Sequence, residues 1–106
     1  MIYTIKEGDT FPPLRAYLQN ADGSPIRIAG ATVLFKVTDK NNNIVINTPV
    51  NVVDEEHGYV RYDWNLGEPL SVGVYTAEFE ITFQNGTIVS VPSDGYIIIN
   101  VVKQVG

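Results

Sequence analysis

An all-β fold, an antiparallel β-sandwich of about 7 to 9 strands, is predicted for this chain of 106 residues by three observations. Between Gly73 and Gly86, the residues Tyr75, Ala77, Phe79, Ile81 and Phe83 alternate with Thr76, Glu78, Glu80 and Thr82, so one face of a long strand is apolar and the other polar. Asn85-Gly86 then supplies a pair that tolerates positive φ, which predicts a type I′ hairpin turn with Thr87, Val89 and Val91 returning beyond it. Nowhere does an apolar helical period persist over three turns, and turn signals recur roughly every 8 to 12 residues. Gly73 and Tyr75 stand where a tyrosine corner would stand, with Ala77 in the place that a disulfide cysteine takes in antibody domains, which makes the expected sandwich immunoglobulin-like.

The other elements follow in chain order. Ile2 to Lys6 alternates as a short strand, which Gly8-Asp9 ends. Pro12-Pro13 fixes an extended entry into Leu14, Ala16 and Leu18, which share one face of an edge or crossover segment. The run Asn20 to Pro25 is a dense turn cluster, Ile26 and Ile28 form a brief return, and Gly30 breaks it. Val33, Phe35 and Val37 then alternate with Thr32, Leu34, Lys36 and Thr38 in a strand expected to be central. Asp39 to Asn43 turns into a strand at Ile44 to Ile46, a further strand follows from Val50 to Val53, and Asp54 to Gly58 closes the next connection. Val60, Tyr62 and Trp64 point one way and Tyr59, Arg61 and Asp63 the other; Leu66 to Val72 crosses over, and Tyr96 to Val102 is a final strand covered on part of both faces. Helix is confined to one turn at most, and residues 1–106 read as one domain.

Composition narrows function by exclusion. With 7 basic and 12 acidic residues the net charge is −5, which repels phosphate backbones and anionic lipid headgroups, so neither nucleic acid nor a membrane is expected as a partner. The spacing of Arg15, Arg27, Lys36, Lys40, Arg61 and Lys103 gives no reason to expect a basic cluster. No apolar run approaches the roughly 20 residues that span a bilayer. The segment Met1 to Lys6 lacks the basic, apolar and small-residue regions of a signal peptide, so synthesis in the cytosol is expected. Zero cysteines remove disulfides, thiolate catalysis and thiolate-bound metals together.

The candidate chemistry is sparse. His57 is the single histidine, and it sits in the acidic turn Asp54-Glu55-Glu56-His57-Gly58, which reads as a solvated loop rather than part of a triad or a calcium site. Glu78 and Glu80 share a strand face as a glycosidase pair could, yet alternating Thr and Glu is the ordinary exterior of a sheet, with Arg61 or Lys36 available on a neighbouring strand. Asp9 and Asp94 are explained by their glycine-containing turns. No phosphate loop, His/Asp metal spacing or nucleophile elbow occurs, so no catalytic, cofactor-binding or metal residue is assigned and no cofactor is expected. Among the aromatics, Tyr62, Trp64, Tyr75, Phe79 and Phe83 fall on core registers, whereas Tyr3, Tyr17, Tyr59 and Tyr96 are less constrained. Tyr17 and Tyr59 fall on the face opposite the apolar one and are the candidate interface residues.

Taken in order, Ile5-Lys6-Glu7-Gly8-Asp9-Thr10, Ala21-Asp22-Gly23-Ser24-Pro25-Ile26 and Ala29-Gly30-Ala31-Thr32-Val33-Leu34-Phe35 resemble the opening of the N-terminal domain of siphophage baseplate upper proteins. Gly58-Tyr59-Val60-Arg61-Tyr62-Asp63-Trp64, Gly73-Val74-Tyr75-Thr76-Ala77-Glu78-Phe79-Glu80 and Val91-Pro92-Ser93-Asp94-Gly95-Tyr96 resemble that family's later strands and its closing turn. The similarity covers essentially the whole chain; no one motif is diagnostic, and the ordered set carries it. The resemblance implies a non-enzymatic immunoglobulin-like sandwich of a phage or prophage tail baseplate, located in the virion. Its partners would be other tail proteins, with symmetric copies of itself in the particle, and it would help to position host-recognition modules. Proteins of this type continue into linker and C-terminal receptor-binding regions, whereas this chain ends at Gly106. The residues leave two rival readings. One is a carbohydrate-binding module gripping a cell-wall glycan through Tyr17, Tyr59 or loops, which predicts an exposed aromatic platform; the other is a hydrolase built on Glu78, Glu80 or His57, which predicts a concave pocket converging on them.

Overall fold

The computed structural model describes residues 2–10, 12–64, 70–92 and 95–103. Nine strands run through them: β1 (Ile2–Lys6), β2 (Leu14–Tyr17), β3 (Thr32–Thr38), β4 (Ile44–Pro49), β5 (Asn51–Asp54), β6 (Tyr59–Tyr62), β7 (Gly73–Thr82), β8 (Ile88–Val91) and β9 (Ile97–Val102). No helix occurs among the described residues, and none is long and apolar enough to cross a membrane. The larger sheet has the order β1-β9-β7-β3-β4, with β8 also paired to β7; the smaller is β2-β6-β5.

Alternation decides which faces meet. Val33, Phe35 and Val37 of β3, Tyr75, Ala77, Phe79 and Ile81 of β7, and Ile97, Ile99 and Val101 of β9 are buried on one face of the larger sheet. Leu14, Leu18, Val60, Tyr62 and Trp64 meet them from the smaller sheet, so two inner faces close on one core in the manner of a sandwich. Phe35 is central to it, with ring centroids 4.6 Å from Tyr62 and 5.1 Å from Phe79. Ile26 and Ile28, expected as a brief return, are buried but lie outside any strand, the adjoining segment being held by an isolated Gln19–Pro25 bridge. The chain changes sheets between β4 and β5, where the Val50 N–H donates to the Val33 carbonyl at 3.2 Å.

Several expectations are met at the level of single bonds. The Tyr75 hydroxyl donates to the Ser71 carbonyl at 2.7 Å, which closes the tyrosine corner. Asp39 accepts from the backbone N–H groups of Asn41 and Asn43, at 2.8 and 2.9 Å, in the turn between β3 and β4. Those bonds hold its carboxyl below the usual carboxylate range, the Asn43 N–H contributing most and burial opposing.

Two expectations are corrected. The larger sheet is mixed rather than wholly antiparallel: β1 runs parallel to β9, Ile2 opposite Ile98 and Lys6 opposite Val102. The β7–β8 turn is also not a two-residue type I′ turn. The Gly86 N–H donates to the Phe83 carbonyl at 2.9 Å, so Gln84 and Asn85 are its central residues, and Gly86 alone takes positive φ, at 87°. Asn85 instead uses its side-chain oxygen to accept from the Thr87 N–H at 3.0 Å, giving a three-residue loop with a glycine bulge. The expected crossover at Leu66 and the Asp94 turn lie outside the described residues.

Candidate functional site

The outward face of the β2-β6-β5 sheet carries both candidate interface residues, and pairing brings them together. Tyr17 stands directly opposite Tyr59. The Leu18 N–H donates to the Gly58 carbonyl at 2.8 Å, so alternate residues of β2 in step with Leu18 turn their backbone groups toward β6. Tyr17 and Tyr59, one step along, are then a non-hydrogen-bonded pair, the kind in which facing side chains stand closest. Their rings stack with centroids 4.4 Å apart and planes 11° from parallel. Tyr59 is half-buried, while Tyr17 keeps 62% of its surface exposed. Each ring therefore covers one face of the other and leaves its edge and hydroxyl outward.

Gly58 holds this pair in register. Its φ is +66°, and a Cβ there would sit 2.6 Å from the Ile26 carbonyl oxygen and 2.7 Å from that of Leu18. Glycine is required on both counts: a Cβ is strained at this φ, and the Leu18 oxygen it would meet is held by the Ile26 N–H at 2.9 Å. The turn before it is tied by Asp54, whose carboxylate accepts from the Glu56 and His57 N–H groups and lies 2.9 Å from His57 Nδ1. The His57 contact is the largest of the influences that hold the Asp54 carboxyl below its ordinary range.

Beside the tyrosines stand two cations. Arg15 is directly opposite Arg61, an unfavourable pairing that Asp63 offsets on the Arg61 side only. The Arg61 Nη2 donates to Asp63 Oδ2 at 3.2 Å, and its Nε approaches Oδ1 at 3.1 Å without the alignment of a hydrogen bond. Asp63 also accepts from Asn51 Nδ2 at 2.8 Å. Among the described residues Arg15 has no carboxylate partner.

The remaining candidates stay apart. His57 is exposed and engaged within its own turn, with Asp54. Glu78 and Glu80 lie on the outer face of the larger sheet; Lys36, opposite Glu78, reaches diagonally to Glu80 with Nζ 2.8 Å from Oε2. Lys36 is the neighbouring cation that alternation anticipated, whereas Arg61 belongs to the other sheet. No group of three or more His, Asp or Glu able to hold a metal occurs among the described residues. Arg15 and Tyr96 join this site although the sequence pattern singles out neither for it. Arg15 shares the outward parity of Tyr17 and was legible from it, whereas the placing of Tyr96 across from β2 depends on how the two sheets are stacked.

A cavity of about 290 Å³ adjoins the tyrosine pair, between β2 and the point where β8 gives way to β9. Tyr17 and Tyr96 stand at its rim and Phe79, Leu18 and Ile97 line its interior.

Comparison with solved structures places the fold in company. The N-terminal domain of phage TP901-1 ORF48 superposes with a TM-score of 0.61 at 16% identity, over 99% of this chain and 86% of that one. CopC from Methylosinus trichosporium OB3b superposes with a TM-score of 0.58 at 14% identity, over 98% and 86%. At such identities the likeness is one of fold. No curated protein sequence matches the chain. The BppU N-terminal domain family matches residues 2–98, nearly the whole chain, in agreement with the ordered segments from Ile5 to Tyr96, and the chain is therefore a member of that family of phage baseplate domains.

Proposed function

We propose that the chain is a non-enzymatic assembly module of a phage tail baseplate, folded as one unit. It resides in the virion and holds neighbouring tail proteins through the outer face of the β2-β6-β5 sheet, thereby helping to position host-recognition modules. The observation that carries this reading is the stacked Tyr17–Tyr59 pair on a face that the core does not use, with Arg15 beside it. Tyrosine and arginine are enriched among the residues that dominate protein interfaces, tyrosine for the large rigid area it buries and arginine for the several donors of its planar guanidinium. A glycan-binding role through the same tyrosines is the second reading, since Tyr17 keeps 62% of its surface exposed beside the stack.

The test is immunogold labelling of intact phage particles with an antibody raised against this domain. Gold clustered at the tail tip is the expected result. Unlabelled particles, with antigen on cells and retention on purified cell wall, would overturn the assembly role in favour of glycan binding.

A further inference from the structure

We propose that the open edge of β2 accepts an extended segment of another virion protein as an added strand, with an acidic residue against Arg15 and the adjacent, large apolar residue in the cavity beside Ala16. The inference rests on the assembly role proposed above, and it names the edge and the chemistry of the partner.

The parity of β2 shows which backbone groups are available. Leu14 and Ala16 direct their N–H and carbonyl groups toward β6, in step with the 2.8 Å bond from the Leu18 N–H to the Gly58 carbonyl. Arg15 and Tyr17 direct theirs the other way, where no strand lies, since β2 is the terminal strand of its sheet. That row is a template for one more strand.

The cavity lies where the partner of β7 changes, Phe79 pairing with Val91 of β8 and Ala77 with Ile97 of β9. It faces the free side of β2 and is lined by Ala16, Leu18, Phe79, Val91 and Ile97. Neighbouring residues of an added strand point to opposite faces, so the one opposite Ala16 enters this apolar space while the one opposite Arg15 lies on the outer face. At that outer position stands a cation that faces Arg61 and lacks a carboxylate among the described residues, which selects Asp or Glu. A second copy of this chain fits less well: paired through β2 it would bring Leu14, Ala16 and Leu18, residues that pack in its own core, and it carries a net charge of −5.

The experiment uses phage particles bearing the full chain with Tyr96→p-benzoylphenylalanine at the cavity rim, and separately Ile88→p-benzoylphenylalanine on the far side of the hairpin, irradiated and mapped by mass spectrometry. A Tyr96 crosslink into an extended segment of a different virion protein, containing an acidic residue next to a large apolar one, is the expected result. Arg15→Glu should lower its yield about fivefold, the weight of one exposed ion pair exchanged for a repulsion. Arg15→Pro should abolish it while leaving the fold intact, because the Arg15 N–H is not used within the sheet. Crosslinks from Tyr96 to copies of the same chain alone would overturn the proposal. Crosslinks to virion proteins from Ile88 and none from Tyr96 would overturn it, leaving residence in the baseplate standing but moving the contact off the β2-β6-β5 sheet; absence of the chain from purified particles would overturn both.

Discussion

Trp64 Nε1 donates to the Tyr3 hydroxyl at 3.0 Å, and that hydroxyl donates onward to the Pro12 carbonyl at 2.6 Å. The two rings lie 5.9 Å apart and nearly parallel. Tyr3 belongs to β1, at the edge of the larger sheet, and Trp64 follows β6 in the smaller, so the relay joins the sheets where the chain crosses between them. Removing the hydroxyl leaves a buried indole N–H and a carbonyl without their shared partner. Tyr3→Phe should therefore destabilise by about 1 to 3 kcal/mol in urea titration. A loss within 0.5 kcal/mol, roughly that of an ordinary surface change, would count against the clamp.

The same relay sets an alkaline limit. Burial raises the Tyr3 pKa above its ordinary value, and the Trp64 N–H, which favours the phenolate, opposes this only in part. A group whose folded pKa is raised stabilises fully below its unfolded value and loses that contribution as pH rises through the folded one. The wild-type chain should thus lose stability above about pH 10 more steeply than Tyr3→Phe, and the two curves should converge. Parallel curves would remove Tyr3 as the cause.

Gly58→Ala should cost more than an ordinary loop substitution. The left-handed backbone alone costs about 1 to 3 kcal/mol for a residue with a Cβ, and the new methyl group would sit on the carbonyls of Ile26 and Leu18. The Leu18 oxygen accepts from the Ile26 N–H at 2.9 Å while the Leu18 N–H donates to the Gly58 carbonyl at 2.8 Å, so displacing Leu18 opens β2. Chemical shifts or hydrogen exchange of β2 amides should change first; a change confined to residues 54–58 would refute the coupling.

The stacked tyrosines should be energetically linked in the free domain. A double-mutant cycle of Tyr17→Ala and Tyr59→Ala is expected to give a coupling of about 0.5 to 1 kcal/mol, the range for aromatic cross-strand pairs. Additive losses would show that the 4.4 Å stack carries no stability of its own.

How far the site could be read from the residues depends on the range of the interactions involved. The burial of Tyr75 through Ile81 follows from period two, and the Asp39 and Asp54 turns from short side chains that bond their own backbone. Tyr17 and Tyr59 share an outward parity that alternation shows separately for each. Their contact requires β2 to pair with β6 across the Asn20 to Gly58 segment, and nothing local specifies that. The β7–β8 turn departs from its expected type for a more local reason: Asn85-Gly86 satisfies a type I′ pattern, but Asn85 gains a bond to Thr87 by keeping negative φ. The parallel placing of β1 beside β9 joins the two ends of the described chain, which alternation within either strand cannot reveal.

Phe79 tests both the register and the cavity. It is 1% exposed, pairs with Phe35 across the ladder and forms part of the lining of the space beside β2. Truncation to alanine removes its contact with the Phe35 ring and enlarges a void that already exists, so the surrounding strands have little to collapse against. Phe79→Ala should cost about 3 to 5 kcal/mol, whereas Glu78→Ala, one position away on the outer face, should stay near the 0.5 kcal/mol or so typical of surface changes. If the chain slipped by one residue on β7, the two effects would exchange, because a one-residue shift carries every side chain to the opposite face. A loss under about 1 kcal/mol for Phe79→Ala, together with a large one for Glu78→Ala, would therefore refute the pairing of Phe79 with Phe35 and, with it, the cavity on which strand addition depends.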